Sequence, residues 1–140
     1  MKLRLSSLYV ALAMIMLCVL SVNVIMERRA NNKPVGFDKN TTLERSIRAQ
    51  GNFTEYAPIF LIGFFVLELL SSSKMLLHSL GLIFFSGRIL HFISLCYLEP
   101  LHNIIYVRVV AMSITFGVIL TIAIMLIIKS FTNKDGRISN

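Results

Sequence analysis

Charge is scarce in this 140-residue chain, at 15% of its residues, and acidic charge is scarcer, with seven acidic side chains against fourteen lysines and arginines. So few charges beside a 56% hydrophobic content and a mean hydropathy of +0.75 exclude an ordinary soluble domain and describe an integral membrane protein. Cysteine is nearly absent as well. Cys18 and Cys96 sit alone in apolar segments without CxxC spacing, which argues against a disulfide framework or a zinc site and reads as two packed thiols. No phosphate-binding loop, metal-ligand spacing or haem motif is present, so no metal is expected. The net charge of +7 comes mainly from residues flanking the apolar runs. It suits anionic lipid headgroups and needs no nucleic acid.

What the chain has instead is long apolar segments. Leu5 to Met26 and Val109 to Ile128 are charge-free runs long enough to cross a hydrocarbon core of about 30 Å. Between them, residues 52–70 and 75–98 are apolar but interrupted by Glu55, Glu68, His78, Arg88 and His91. The expected fold is all-α: one domain over residues 1–140, an integral membrane four-helix bundle with helices at about 5–28, 42–70, 75–98 and 104–129. The interrupted middle pair should line an interior while the outer pair meets lipid. The first helix is read as retained and not as a cleaved signal, because its apolar run is long and Met26-Glu27-Arg28-Arg29 follows it where a small-residue cleavage site would stand. Positive charge does not choose the orientation. One side carries Lys2, Arg4, Lys74, Lys129, Lys134 and Arg137, the other Arg28, Arg29, Lys33, Lys39 and Arg45.

Local signals place the helix ends. Pro34, Gly36 and Asp38 mark a polar loop, and Thr41-Thr42-Leu43-Glu44 has the spacing of a capping box that would start the second helix. Pro58 removes one backbone hydrogen bond and should bend that helix just beyond Glu55. Ser71 to Lys74 reads as a tight turn, and Glu99-Pro100 as the end of the third helix. Gly63, Gly81, Gly87 and Gly117 are small residues suited to close helix contact.

The polar residues of the second helix are the most informative. At 100° per residue Arg48, Asn52 and Glu55 fall on one face, with Glu44 one turn earlier. Such groups near a bilayer cost several kcal/mol unless paired, so they read as a functional polar site. Arg88 and His91 on the third helix and Arg108 at the start of the fourth join them. Set against Glu55 and Glu68, three arginines leave spare positive charge that an anion would balance. Internal pairing of Arg48 or Arg88 with Glu55 or Glu68 is the plainer alternative. His78 and His102, near helix ends, should face the interface.

The stretch Glu44-Arg45-x-x-Arg48-Ala49-Gln50-x-Asn52-x-x-Glu55-Tyr56-x-Pro58, followed by Gly87-Arg88-x-x-His91, resembles the signature of the MAPEG family, membrane-associated proteins in eicosanoid and glutathione metabolism. The resemblance runs over the whole chain and is strongest to the small bacterial inner-membrane members. It implies a multi-pass protein of the bacterial inner membrane, assembled as a homotrimer, with glutathione as co-substrate bound between subunits toward the cytoplasmic side. Arg48, Asn52, Glu55 and Tyr56 would match the glutathione-contacting positions of helix 2. Arg88 and His91 would match the helix-3 element, and Arg28 or Arg29 the basic residue ending helix 1. Arg108 would match the helix-4 arginine that stabilises the glutathione thiolate in active members. The activity implied is a glutathione-dependent transferase or peroxidase. Its hydrophobic small-molecule substrates, electrophiles or lipid hydroperoxides, would arrive from the membrane lipids.

Two departures stand out. Active members often carry tyrosine four residues beyond the helix-3 histidine, where this chain has Leu95, with Tyr97 two further on. The Arg88-to-Arg108 spacing is a few residues longer than in the eicosanoid enzymes, which bears on catalysis more than on binding. A non-catalytic glutathione- or lipid-binding membrane protein, like the family's lipoxygenase-activating member, is the alternative. A purely structural membrane protein stands third.

Overall fold

The computed structural model describes residues 4–39, 41–102 and 105–132, with backbone alone at 101 and 102. The chain forms α1 (Arg4–Ala30), α2 (Thr42–Leu69), α3 (Lys74–Ile93), a π-helical turn (Ser94–Leu98), the short α4 (Glu99–His102) and α5 (Ile105–Thr132). The expected all-α bundle is what is found. Four spans, with α3 and the π-turn counting as one, are long and apolar enough to cross a membrane. The side chain of His102 and the tail beyond Thr132 lie outside the described residues.

Capping chemistry sets the boundaries. Thr41 is extended, and its Oγ1 accepts the backbone N–H of Glu44 at 3.1 Å, as the capping-box spacing required. Ser73 does the same for α3, accepting from Leu76 N at 3.3 Å, after Ser71 reverses the chain at φ 54°. Pro58 sits inside α2, which continues unbroken to Leu69.

α1 packs on α2, and α3 on α5, with α2 and α5 also in contact. Half of the most apolar stretch of the third span is buried, against 33% for α2 and 22% for α1 and α5. The middle pair is therefore the interior of the bundle. Its centre is aromatic: the rings of Phe60 and Phe84 stack at 3.8 Å and 4°, and Tyr9 wedges against Phe64 and Phe85. The Tyr9 hydroxyl donates to the His78 carbonyl at 3.0 Å, giving the buried ring its polar partner. Gly81 makes that wedge fit, since a Cβ there would enter the Tyr9 ring. Gly63 and Gly87 likewise let α5 close in at Ile122 and Ile114, whereas a Cβ at Gly117 would meet nothing within 4 Å among the described residues. Cys18 corrects the expectation of two packed thiols: it is exposed on the outer face, while Cys96 is half-buried beside Ser46.

Glu68 also departs from its expected role. Among the described residues it meets no arginine; its carboxylate reaches to the start of α1, accepting from Leu5 N at 3.0 Å, from Ser6 N at 2.7 Å and from the Ser6 hydroxyl. The first N–H groups of a helix have no partner within it, and a carboxylate at that end is also favoured by the helix dipole. Glu68→Ala should lower stability by roughly 1–3 kcal/mol, read as thermal unfolding in detergent, with Glu68→Gln losing less because it still accepts.

Candidate functional site

The first turns of α2 have two polar faces with different duties. One face is tied to α1: Asn23 Nδ2 donates to Ser46 Oγ and Gln50 Nε2 donates to Ser21 Oγ, both at 2.8 Å. Interhelical side-chain hydrogen bonds of this kind hold membrane helices in register. The other face, with Arg48, Asn52 and Glu55, is thereby turned outward. It forms one wall of a cavity of about 880 Å³. His91 from α3, Leu95 from the π-turn, Glu99 from α4, and Arg108 and Met112 from α5 complete the lining. Arg48, Asn52, Glu55, His91 and Arg108, singled out on separate helices, thus come together around one space. Arg108 reaches it in spite of the longer helix 3–4 connection.

The remaining expected residues lie elsewhere. Arg88 stands behind the wall, 2% exposed. Its Nη1 donates to Asn52 Oδ1 at 2.5 Å and its Nη2 to Met112 Sδ at 3.4 Å. The guanidinium carbon lies 5.8 Å from the Tyr56 ring and 6.0 Å from that of Phe84. A buried cation needs partners, and here they are an amide oxygen, a thioether and two aromatic rings, with Nε buried and unpartnered among the described residues. Tyr56 is half-buried between Arg88 and Phe116, so its ring supports the wall without lining the cavity. Arg28 is committed to the loop after α1, its Nη1 donating to the carbonyls of Lys33, Pro34 and Gly36 at 3.3, 3.3 and 3.1 Å. Arg29 is exposed, and neither it nor Arg28 lines the cavity.

Glu99 was missing from the sequence reading. It lines the cavity and pairs with Arg108, Oε2 to Nη1 at 3.2 Å. The signal is an acidic residue at the end of the third span, where the sequence reads Glu99-Pro100 as a helix end; the structure instead carries helix on through Pro100 to His102. Its pairing also revises the charge balance. The wall carries Arg45, Arg48 and Arg108 against Glu44, Glu55 and Glu99, so it is zwitterionic and lacks the expected positive surplus. Arg48 and Glu55 are exposed and have no hydrogen-bond or ion-pair partner among the described residues. His91 is buried with its Nδ1 unpartnered there. Such a set can hold a ligand that carries both carboxylate and ammonium groups.

Sequence comparison gives the same picture a lineage. Residues 6–128 match the MAPEG family. Over 87 residues, 62% of the chain, it is 28% identical to the inner membrane protein YecN of Escherichia coli K12, and equally to YecN of the O6:H1 strain CFT073. The aligned stretch spans 66% of the length of those relatives. With four spans and relatives of this kind, the protein is a multi-pass integral protein of the inner membrane. The chain belongs to the MAPEG family.

Proposed function

We propose that this protein is a membrane-bound glutathione-dependent transferase or peroxidase acting on hydrophobic electrophiles or lipid hydroperoxides. One observation carries the reading: three helices converge Arg48, Asn52, Glu55, His91 and Arg108 on a single cavity at the end of the bundle. Its volume of about 880 Å³ falls within the roughly 300–1,000 Å³ of small-molecule sites. Glutathione, as co-substrate, supplies two carboxylates, one ammonium and the reacting thiol. Arg48 is placed to take a carboxylate through its planar fork, and Glu55 to take the ammonium. Asn52, its oxygen held by Arg88, presents its amide N–H groups to the ligand. Arg108 would hold the sulfur as thiolate, because a guanidinium beside a thiol stabilises the anionic form. Ile47, Leu95 and Met112 give the same cavity an apolar side for a second substrate from the bilayer.

The site as a single chain builds it leaves Arg48 and Glu55 exposed at the membrane end of α2. A second copy covering this face would bury them against the ligand, which supports assembly as a homotrimer with glutathione between subunits. Native mass measurement across mild detergents should give trimers; monomers alone would remove the shared site.

A second reading has an observation of its own. Arg108 is already paired with Glu99, and Leu95 occupies the position where tyrosine often stands in active relatives. On that reading the cavity binds glutathione or a lipid without turnover. A thiolate difference spectrum of purified protein with glutathione separates the two: enzyme predicts a rise in thiolate absorbance, the binder gives affinity without it.

Substitutions rank the residues. Arg48→Ala should weaken glutathione binding about ten- to a hundredfold, the value of a charge-assisted contact in a partly dehydrated site. Arg108→Ala should abolish most turnover while affinity changes little, since its contact strengthens as the thiolate forms. Equal losses in affinity and rate would make Arg108 a carboxylate anchor instead.

A further inference from the structure

Glu99 and the backbone that presents it are unaccounted for by the family pattern. The third span does not run as one regular helix. Between Ser94 and Leu98 it widens into a π-turn, closed by the Glu99 N–H donating to the Ser94 carbonyl. Such a turn inserts one extra residue and rotates everything after it by on the order of 100° relative to a continuous α-helix. The rotated residues include Glu99, whose side chain is 11% exposed and faces the cavity. On the facing element, Arg108 is 39% exposed, and among the described residues Glu99 is its one ion-pair partner. An arginine that free would otherwise sample solvent at the start of α5.

We infer that Glu99, aimed by the π-turn, is the positioning residue for Arg108: it fixes the guanidinium over the cavity where the ligand's sulfur binds. The inference rests on the reading of the cavity as a glutathione site. The ion pair has a second consequence for the ligand. Glu99 cancels part of the charge of Arg108, so the guanidinium meets the ligand with less than its full positive charge. Its Oε1 is buried with no partner among the described residues, leaving the carboxylate one acceptor position to spare.

The test is a double-mutant cycle on the full chain in detergent, reading affinity for glutathione sulfonate, a fixed anion at the sulfur position, against S-methylglutathione, which has none. Wild type should prefer the sulfonate. Glu99→Ala should lower sulfonate affinity about tenfold, with S-methylglutathione unchanged, because the guanidinium loses its orientation. In an Arg108→Ala background the same substitution should do nothing further. Glu99→Gln, which keeps an acceptor for Nη1, should hold sulfonate affinity at or above the wild-type level. The inference is overturned if Glu99→Ala binds the sulfonate as wild type does. It is equally overturned if its loss persists without Arg108, or if Glu99→Gln falls as far as Glu99→Ala. Should wild type bind neither compound, the glutathione reading fails separately. The same cycle on thermal unfolding then decides the pair, and additive losses there would dismiss it.

Discussion

A guanidinium cannot be stored in the middle of a membrane bundle without partners, and Arg88 is stored there, 2% exposed. Meeting its needs dictates how three helices stand. Asn52 from α2 supplies the oxygen, Met112 from α5 the sulfur, and Tyr56 and Phe84 the ring faces on either flank. Breaking a buried charge loose from its partners typically costs about 3–5 kcal/mol, which is a large part of a domain's whole stability. The positions of Asn52 and Met112 in the cavity wall are therefore fixed from behind. The site in front inherits that rigidity without having to supply it.

The remaining polar groups divide into those that hold the scaffold and those left for a ligand. Glu68, Gln50, Ser46 and Arg28 all have protein partners and close gaps between segments. Arg48 and Glu55 have none among the described residues, although they stand two turns apart on the same face. Opposite charges left two turns apart and unpaired, at the edge of a low-dielectric medium, are poised for a ligand that carries the complement of both. The aromatic centre around Phe60, Phe84 and Tyr9 lies beyond Arg88, with the Tyr9 hydroxyl satisfied by the His78 carbonyl.

How much of this was legible in the sequence follows from the range of each interaction. Helix ends were readable because a cap is decided within four residues, as at Thr41 and Glu44. The cavity-lining face of α2 was readable because helical periodicity puts Arg48, Asn52 and Glu55 together whatever else the chain does. Pairings across helices were not. Glu68 reads as a partner for the arginines, yet it accepts from the Ser6 hydroxyl and from the backbone N–H groups of residues 5 and 6, and backbone donors are announced by no residue type. Arg88 and His91 read as one helix-3 element, yet only His91 lines the cavity; three positions along a helix turn the side chain by about 60°, enough to separate wall from foundation. Glu99 was hidden by the π-turn, which shifts the phase of the helix and defeats any pattern based on regular spacing.

The contact between Glu68 and the start of α1 also fixes an order of events during synthesis. When α1 first enters the bilayer its leading N–H groups have no protein acceptor, and residue 68 has yet to be made. Only when α2 has threaded back across, bringing its last turn beside Ser6, is the end of α1 completed. A bilayer offers such groups little to bond with below its headgroups. Until then those N–H groups rely on water and headgroups for partners. The start of α1 is thus completed only within the N-terminal hairpin that α1 forms with α2.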